Sequence, residues 1–421
     1  MTVQSCPFAH GAFTIDPSGT DVHGEAAQLR QRGRATRAEL LGVETWWVTD
    51  HALIKQLLTD PRVSRDPYRH WPAWENGEGE LARTWPLAAY VADRNLFTAY
   101  GEEHKRLRKL VAGAFTARRT AAMKERIEEI AAEVIERLTT LPAGQPVDLR
   151  QEFAYPLPAR VISELLGIPA AARAKLLPLV DGLLRTTNSV EEMQQIEKDL
   201  MLRTGELIEE KRANPGDDLT SALVLAHDDS DGSGLTFQEL TDTLVLIFMA
   251  GYETTVNLLD HAVFALLTRP DQLQLVRQGS ASWKDVVEET LRLEAPLMNV
   301  LLRYAVEDIE LEDLTISKGE PIVVSFGAAG RDPGVHGDDA DGFDVTRSSN
   351  REHIAFGFGA HHCLGAPLAR LEAEITLPAL FNRFPQLALA TDAGEVKRGE
   401  SFVNNGHEAL PVLLGAPSAT G

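Results

Sequence analysis

The stretch Phe356-Gly357-Phe358-Gly359-Ala360-His361-His362-Cys363-Leu364-Gly365 sets one cysteine in a glycine-rich loop, ahead of an apolar helix that opens at about Leu364. A thiolate so placed suits axial ligation of a haem iron, where it pushes electron density onto the metal and favours O–O cleavage. Gly357 and Gly359 let the backbone crowd the sulfur, so that N–H groups point at it. The positive end of the following helix faces the same atom, which predicts a lowered thiol pKa. Gly365 leaves room where the helix would press on a flat macrocycle. The plain alternative is a structural cysteine after a turn, the usual fate of an isolated Cys.

A second group lies in Ala250-Gly251-Tyr252-Glu253-Thr254-Thr255. An acid followed by threonine inside an apolar helix needs a reason. Gly251 opens a notch, and the Thr254 hydroxyl can turn inward and loosen the local hydrogen bonding; a mere packing irregularity, with Glu253 reaching solvent or a cation, reads equally well. Glu289 and Arg292 fall three residues apart on one helix face, as in an ordinary surface ion pair. His104 and Arg108 are four apart on another helix face, and Arg303 opens Arg303-Tyr304-Ala305. Each of these cations alone reads as a solvated surface residue.

The elements that must position these groups are mostly helical. Apolar periodicity predicts helices over Asp50–Leu58, Glu102–Gly113, Ala117–Leu138, Gln151–Leu166, Ala170–Arg185, Val190–Arg212, Asp218–His227 and Trp283–Ala295. The longest pattern runs from about Thr236 to Thr268, roughly 50 Å of helix at 1.5 Å per residue. Its middle, Leu244 to Gly251, is apolar on all sides and must be buried. Strand-like pieces lie at Trp46–Val48, Leu301–Val306, Pro321–Ser325 and Ala409–Leu414. The segment 61–100 is irregular and carries Tyr68, Trp71, Trp74, Trp85, Tyr90, Phe97 and Tyr100; such a loop is either functional or pinned to the core by its aromatics.

The 421 residues, 44% of them hydrophobic, suffice for a large core. Cys6 and Cys363 are the only cysteines, so no disulfide framework exists and a cytoplasmic chain is expected; Cys6 has no evident role. No apolar run is long enough to span a membrane and no signal peptide is visible. A net charge of −21 excludes nucleic acid as a partner class. Against that charge, Lys105, Arg106, Arg108, Lys109, Arg118 and Arg119 form a local basic cluster, either a steering site for an acidic partner or a solvated helix face.

Phe356, Gly359, Cys363 and Gly365 match in full the haem-binding loop of the cytochrome P450 monooxygenases, and the chain resembles that family over nearly its whole length. The resemblance implies a mainly α fold with small β-sheets, a single domain over residues 1–421, and haem b between the long helix and the helix after the cysteine loop. It implies iron ligation by Cys363, with Ala250, Phe356, Gly357 and Gly365 against the haem. Thr254 would deliver protons during oxygen activation, fed by Glu253, which stands where many members have Asp. His104, Arg108, Arg303 and His361 would anchor the propionates. Glu289 and Arg292, joined by Arg347, would lock the core behind the loop. Gly330 replaces the Asn of the family's Asn-Arg-Asp-Pro stretch. Family positions put Asn95, Leu96, Phe97, Thr187, Leu246, Ala250, Gly251, Leu297, Val300 and Phe402 around the substrate, and their apolar majority favours a steroid, macrolide or polyketide. The implied reaction inserts one atom of O2 into that substrate, with electrons from a separate ferredoxin and its reductase, since no flavin or iron–sulfur module is visible. A peroxide-driven peroxygenase of the same family is the alternative, although such enzymes lack the acid–threonine pair. A haem sensor or carrier without turnover is another.

Overall fold

The long helix Phe237–Thr268 organises the molecule. It starts where it does because Thr236 and Glu239 form a capping box, the Thr236 hydroxyl accepting from the Glu239 N–H and the Glu239 carboxylate from the Thr236 N–H. Its buried residues Leu244, Phe248, Tyr252, Val256 and Leu259 share one face, and the stretch expected to be buried on all sides is not, because Leu246, Ile247, Ala250 and Gly251 line a cavity. The computed structural model describes residues 12–418 other than 116, 184, 186, 228–231 and 233, so Cys6 lies outside the described residues.

Three helices pack on it and shape the site. Ala366–Arg383 carries the end of the cysteine loop, Trp283–Leu293 holds Glu289 and Arg292, and Pro156–Leu165 lies across Gly251. A Cβ at Gly251 would stand 2.6 Å from Cδ1 of Ile162, so the notch expected there is filled by that isoleucine. The helix Gly101–Ala114 brings His104 and Arg108 to the same region.

The principal sheet has six strands in the order Phe13–Thr14, Ala35–Leu40, Val43–Val48, Pro321–Ser325, Asn299–Ala305, Val63–Ser64. The pairing of Val63–Ser64 with Asn299–Ala305 is antiparallel, with Ser64 opposite Tyr304. A three-stranded sheet (Ala388–Leu389, Pro411–Leu413, Val147–Asp148) and a two-stranded one (Ile309–Glu310, Thr315–Ile316) complete the β structure. The architecture is thus mainly α with small sheets, as expected.

Two elements depart from expectation. The helix expected over Gln151–Leu166 divides: Arg150–Ala154 is a wide π turn, closed by Tyr155 N–H on Arg150 O at 2.8 Å, and Pro156 then begins an ordinary helix. The helix expected over Asp218–His227 is only Leu219–Val224. The segment 61–100, expected to be irregular, holds the short helices Pro67–His70, Pro72–Gly77, Glu80–Thr84 and Ala89–Ala92, and its tryptophans are pins. Trp71 stacks on Trp74 at 5.6 Å and on Tyr304 at 5.3 Å between ring centroids, and Trp71, Trp74 and Trp85 are all buried. Its far end, Leu96 and Phe97, does reach the cavity described next.

Candidate active site

Cys363 is the pivot of a tight loop. Its N–H donates to Phe356 O at 2.9 Å, and Gly357 N–H to Ile354 O at 2.8 Å. Gly357 and Gly359 take φ of +73° and +72°, and at Gly359 a Cβ would sit 2.9 Å from Leu58 O, so both positions need glycine. The N–H groups of Gly365 and Ala366, where the helix begins, point at the sulfur and, with Arg108 and Arg370 nearby, favour its thiolate. Desolvation of the sulfur outweighs them and pushes the thiol up, although the residue is exposed toward the cavity, whereas helix and loop alone led to the expectation of a lowered pKa.

The sulfur opens onto a cavity between the loop and the long helix. Phe356, Gly357, His361 and Gly365 line it on the loop side, and Ala250, Gly251 and Thr254 on the long helix. Arg108 and Arg303 also line it, while His104 lies behind His361 with ring centroids 4.1 Å apart. Arg108 donates to His362 O at 2.8 Å. A third guanidinium, Arg65, stands in the wall beside them, and nothing in the sequence around it signalled this place. Burial holds Arg303 down to about 9 and depresses Arg65, His104 and His361 as well.

On the long helix, which runs unbroken here, the Thr254 hydroxyl donates back to Ala250 O at 2.8 Å where the helix meets the cavity. Glu253 is not in the cavity wall. It accepts from Arg150 Nη2 at 2.7 Å, and Arg150 also donates to Asn257 Oδ1 at 3.0 Å and Asp260 Oδ2 at 3.3 Å. His407 adds its N–H and Nδ1 to Asp260, each at 3.0 Å. Burial, with Asp181 nearby, raises Glu253 to about 7 despite Arg150. Arg150 and the Asp260–His407 pair went unseen in the sequence, because their partners lie about a hundred residues or more away.

The family model for cytochrome P450 matches residues 160–281 and 283–404. The chain belongs to the cytochrome P450 family. It is 43% identical over 403 residues, 96% of this chain and 97% of the relative, to 2-hydroxy-5-methyl-1-naphthoate 7-hydroxylase of Streptomyces carzinostaticus. Among solved structures it is similar to CYP154A1 from Streptomyces coelicolor A3(2), with 52% identity, a TM-score of 0.90 and coverage of 96% of this chain and 100% of that one. It is also similar to testosterone-bound CYP154C4 from Streptomyces sp. ATCC 11861, with 46% identity, a TM-score of 0.92 and coverage of 97% and 100%.

The P450 family carries haem, and the residues here fit it. Arg303 Nη1, Arg65 Nε and His104 Nε2 are buried without a hydrogen-bond partner, and no Asp or Glu among the described residues forms an ion pair with Arg65 or Arg303. Buried cations left so call for an anion, and the carboxylates of a haem are groups of that kind.

Glu289 and Arg292 of this P450 are fully buried and joined by two bonds of 2.7 Å, and Arg347 Nε reaches Glu289 at 3.2 Å. Arg292 also donates to the carbonyls of Gly330, Ala340 and Gly342. Gly330, taken from sequence as a weakened match, is required: a Cβ there would lie 1.8 Å from Arg292 O.

The expected substrate wall is partly corrected. Leu96, Phe97, Leu246, Ala250, Gly251, Leu297 and Val300 line the cavity, joined by Ile162, Thr243 and Ile247. Asn95 does not; it is buried, its carbonyl accepting from Phe97 N–H at 2.8 Å to shape the turn. Phe402 is sealed into the core against Trp47, and Thr187 is exposed in a turn away from the lining residues. The basic cluster is largely neutralised by its own helix and neighbours. Lys105 pairs with Glu102, Arg106 with Glu103 and Glu239, and Arg119 with Asp217; the side chain of Arg118 lies outside the described residues. Among the described residues no helix is long and apolar enough to cross a membrane.

Proposed function

We propose that this P450 is a single-domain, cytoplasmic monooxygenase, with haem b ligated by Cys363, that hydroxylates a sizeable, mostly apolar organic molecule of the steroid, macrolide or polyketide kind. The observation that carries this reading is the cavity itself. One cavity, which must hold the haem as well as the substrate, joins the Cys363 sulfur, the Thr254 hydroxyl and the apolar side chains of Leu96, Phe97, Ile162, Leu246, Ile247, Leu297 and Val300. The naphthoate and testosterone in the names of its relatives belong to the same broad class of flat, largely apolar ring systems.

Haem, when bound, supplies the dioxygen chemistry. The chain's own residues do the rest. His104, Arg108, Arg303 and His361 hold the propionates. The loop amides of Gly365 and Ala366 donate toward the sulfur and tune its electron donation. Thr254 sets its Oγ1 at the cavity wall, where leaving Ala250 O frees its proton for transfer, and Glu253, raised to about 7, is the acid one residue away that replaces it. The apolar wall excludes bulk water from around the substrate. Electrons come from a ferredoxin and its reductase. Phe358, Gly359 and Ala360 of the cysteine loop are exposed, which offers a short route from the surface to the sulfur.

The test is a titration of purified holoenzyme with steroids, macrolides and aromatic polyketides, read as the low-to-high-spin change in the Soret region. Binders are then turned over with ferredoxin, its reductase and NADPH. Oxygenated product from at least one such ligand is expected. Spin change and product only with small polar ligands would overturn the substrate class, and product only with added peroxide would replace the electron donor.

A further inference from the structure

Arg65 directly follows the edge strand Val63–Ser64, whose antiparallel register with Asn299–Ala305 carries it alongside Arg303. Both arginines are 4% exposed and both line the cavity. Arg65 spends one donor, Nη2, on Leu301 O at 2.6 Å, and its guanidinium lies flat over the Phe97 ring at 3.4 Å from the centroid. Its Nε has no partner, nor has Arg303 Nη1. Two buried cations side by side with no acid of the described residues paired to either are unfavourable unless something anionic enters the cavity between them. Folding would otherwise discard the arrangement. A hydrophobic residue after Ser64 would cover Phe97 with no charge to bury.

We propose that Arg65 is a further haem-anchoring residue of this chain, holding a propionate carboxylate together with Arg303. This inference rests on haem occupying the cavity. The family-type set supplies two permanent cations, Arg108 and Arg303, and two imidazoles. The two imidazoles, with ring centroids 4.1 Å apart, offer hydrogen-bond donors. Arg65 is therefore the third fixed positive charge. Its planar fork suits a carboxylate in a way that a lone ammonium would not. Because the same guanidinium covers Phe97, the propionate and one wall of the substrate space share a single residue.

The experiment follows haem loss from the holoenzyme to excess apomyoglobin, comparing wild type with Arg65→Met, Arg65→Gln and Arg65→Lys, and with Arg303→Met for scale. Losing one charge-assisted bond to a carboxylate should speed haem loss about tenfold to a hundredfold in Arg65→Met. Arg65→Lys should recover part of that factor. The same proteins are then reconstituted with haem dimethyl ester, which has no carboxylates. The difference between Arg65→Met and wild type should then vanish. Equal loss rates with ordinary haem would overturn the proposal. So would an equal acceleration with the ester, since that marks Arg65 as a purely structural support for Leu301 and Phe97. Arg65→Gln can still donate to Leu301 O and is read in the same way if the Met variant does not fold. Haem content and the thiolate-type spectrum of wild type report separately on the reading that haem fills the site.

Discussion

The carboxylate of Glu253 is held by the guanidinium of Arg150 at 2.7 Å, while the adjacent Thr254, not Glu253, faces the cavity. The acid and the hydroxyl thus project from one helix about 100° apart, and the acid's charge is set by a group outside the cavity. Arg150 is itself divided between Glu253 and the fully buried Asp260, which His407 also binds. Tyr155 and Tyr252 close the cluster by donating to Asp181, whose charge opposes ionisation of Glu253.

The first prediction concerns pH. Glu253 is raised from its ordinary 4.5 to about 7, so it carries its proton at lower pH and loses it as pH rises through about 7. Product formation should fall over that interval with an apparent pKa near the same value. Glu253→Gln should lower the rate at all pH and abolish this limb; an unchanged limb in the variant would assign it to another group. The stability sign is the same. The folded protein holds a proton between pH 4.5 and about 7 that the unfolded chain has released, so the contribution is present below 4.5 and is lost as pH climbs through 7.

Arg150→Met removes the cation that favours ionised Glu253, so the alkaline limb should move to higher pH. It also leaves Asp260 with His407 as its remaining partner. Breaking a buried ion pair in this way costs about 3–5 kcal/mol. Denaturant unfolding of holoenzyme should show a large fraction of that loss, and a limb displaced to lower pH would contradict the assignment.

Thr254→Ala should consume reductant at near the wild-type rate while more of it appears as hydrogen peroxide and less as product. Thr254→Ser, which keeps the hydroxyl, should restore most of the coupling. Product yield per electron is the quantity measured, and an unaltered yield in the alanine variant would remove Thr254 from proton delivery.

At Gly330 even a methyl group collides with the Arg292 carbonyl, 1.8 Å from the ideal Cβ. Gly330→Ala should therefore displace the Glu289–Arg292–Arg347 cluster and cost at least about 1–3 kcal/mol. A lowered thermal midpoint with an unchanged spin-state response to ligand would show that the damage is to the frame alone.

Cys363→Ser should lose the thiolate-type spectrum of the reduced carbonyl complex, and Cys6→Ala should retain it. Loss of that spectrum in the Cys6 variant would move the iron ligand elsewhere.

Much of this was readable in the chain, and unevenly so. The long helix and the glycine demand at Gly357 and Gly359 follow from local patterns that tertiary contacts did not override. The Glu289–Arg292 pair and the His104–Arg108 spacing are periodic on one helix and legible for that reason. Arg65 and Arg150 were not, because a burial this deep depends on partners brought in from distant segments. Phe402 was placed at the cavity by family position, but its ring is turned onto Trp47. The thiol's pKa was misjudged because helix and loop donors can be counted along the sequence, whereas the opposing burial exists only in the fold.

Arg65, His104 and Arg108, Arg303 and His361 come from four separate stretches of chain and converge with no acid among them to offset Arg65 or Arg303. Until an anion arrives these segments repel one another, so the prosthetic group fastens the polypeptide as much as it equips it. Ligand that binds only the folded form stabilises that form by mass action. A cell that translates this chain faster than it makes haem should therefore accumulate loosened, protease-sensitive protein, and yield in any expression host should follow the supply of haem precursors rather than the strength of the promoter.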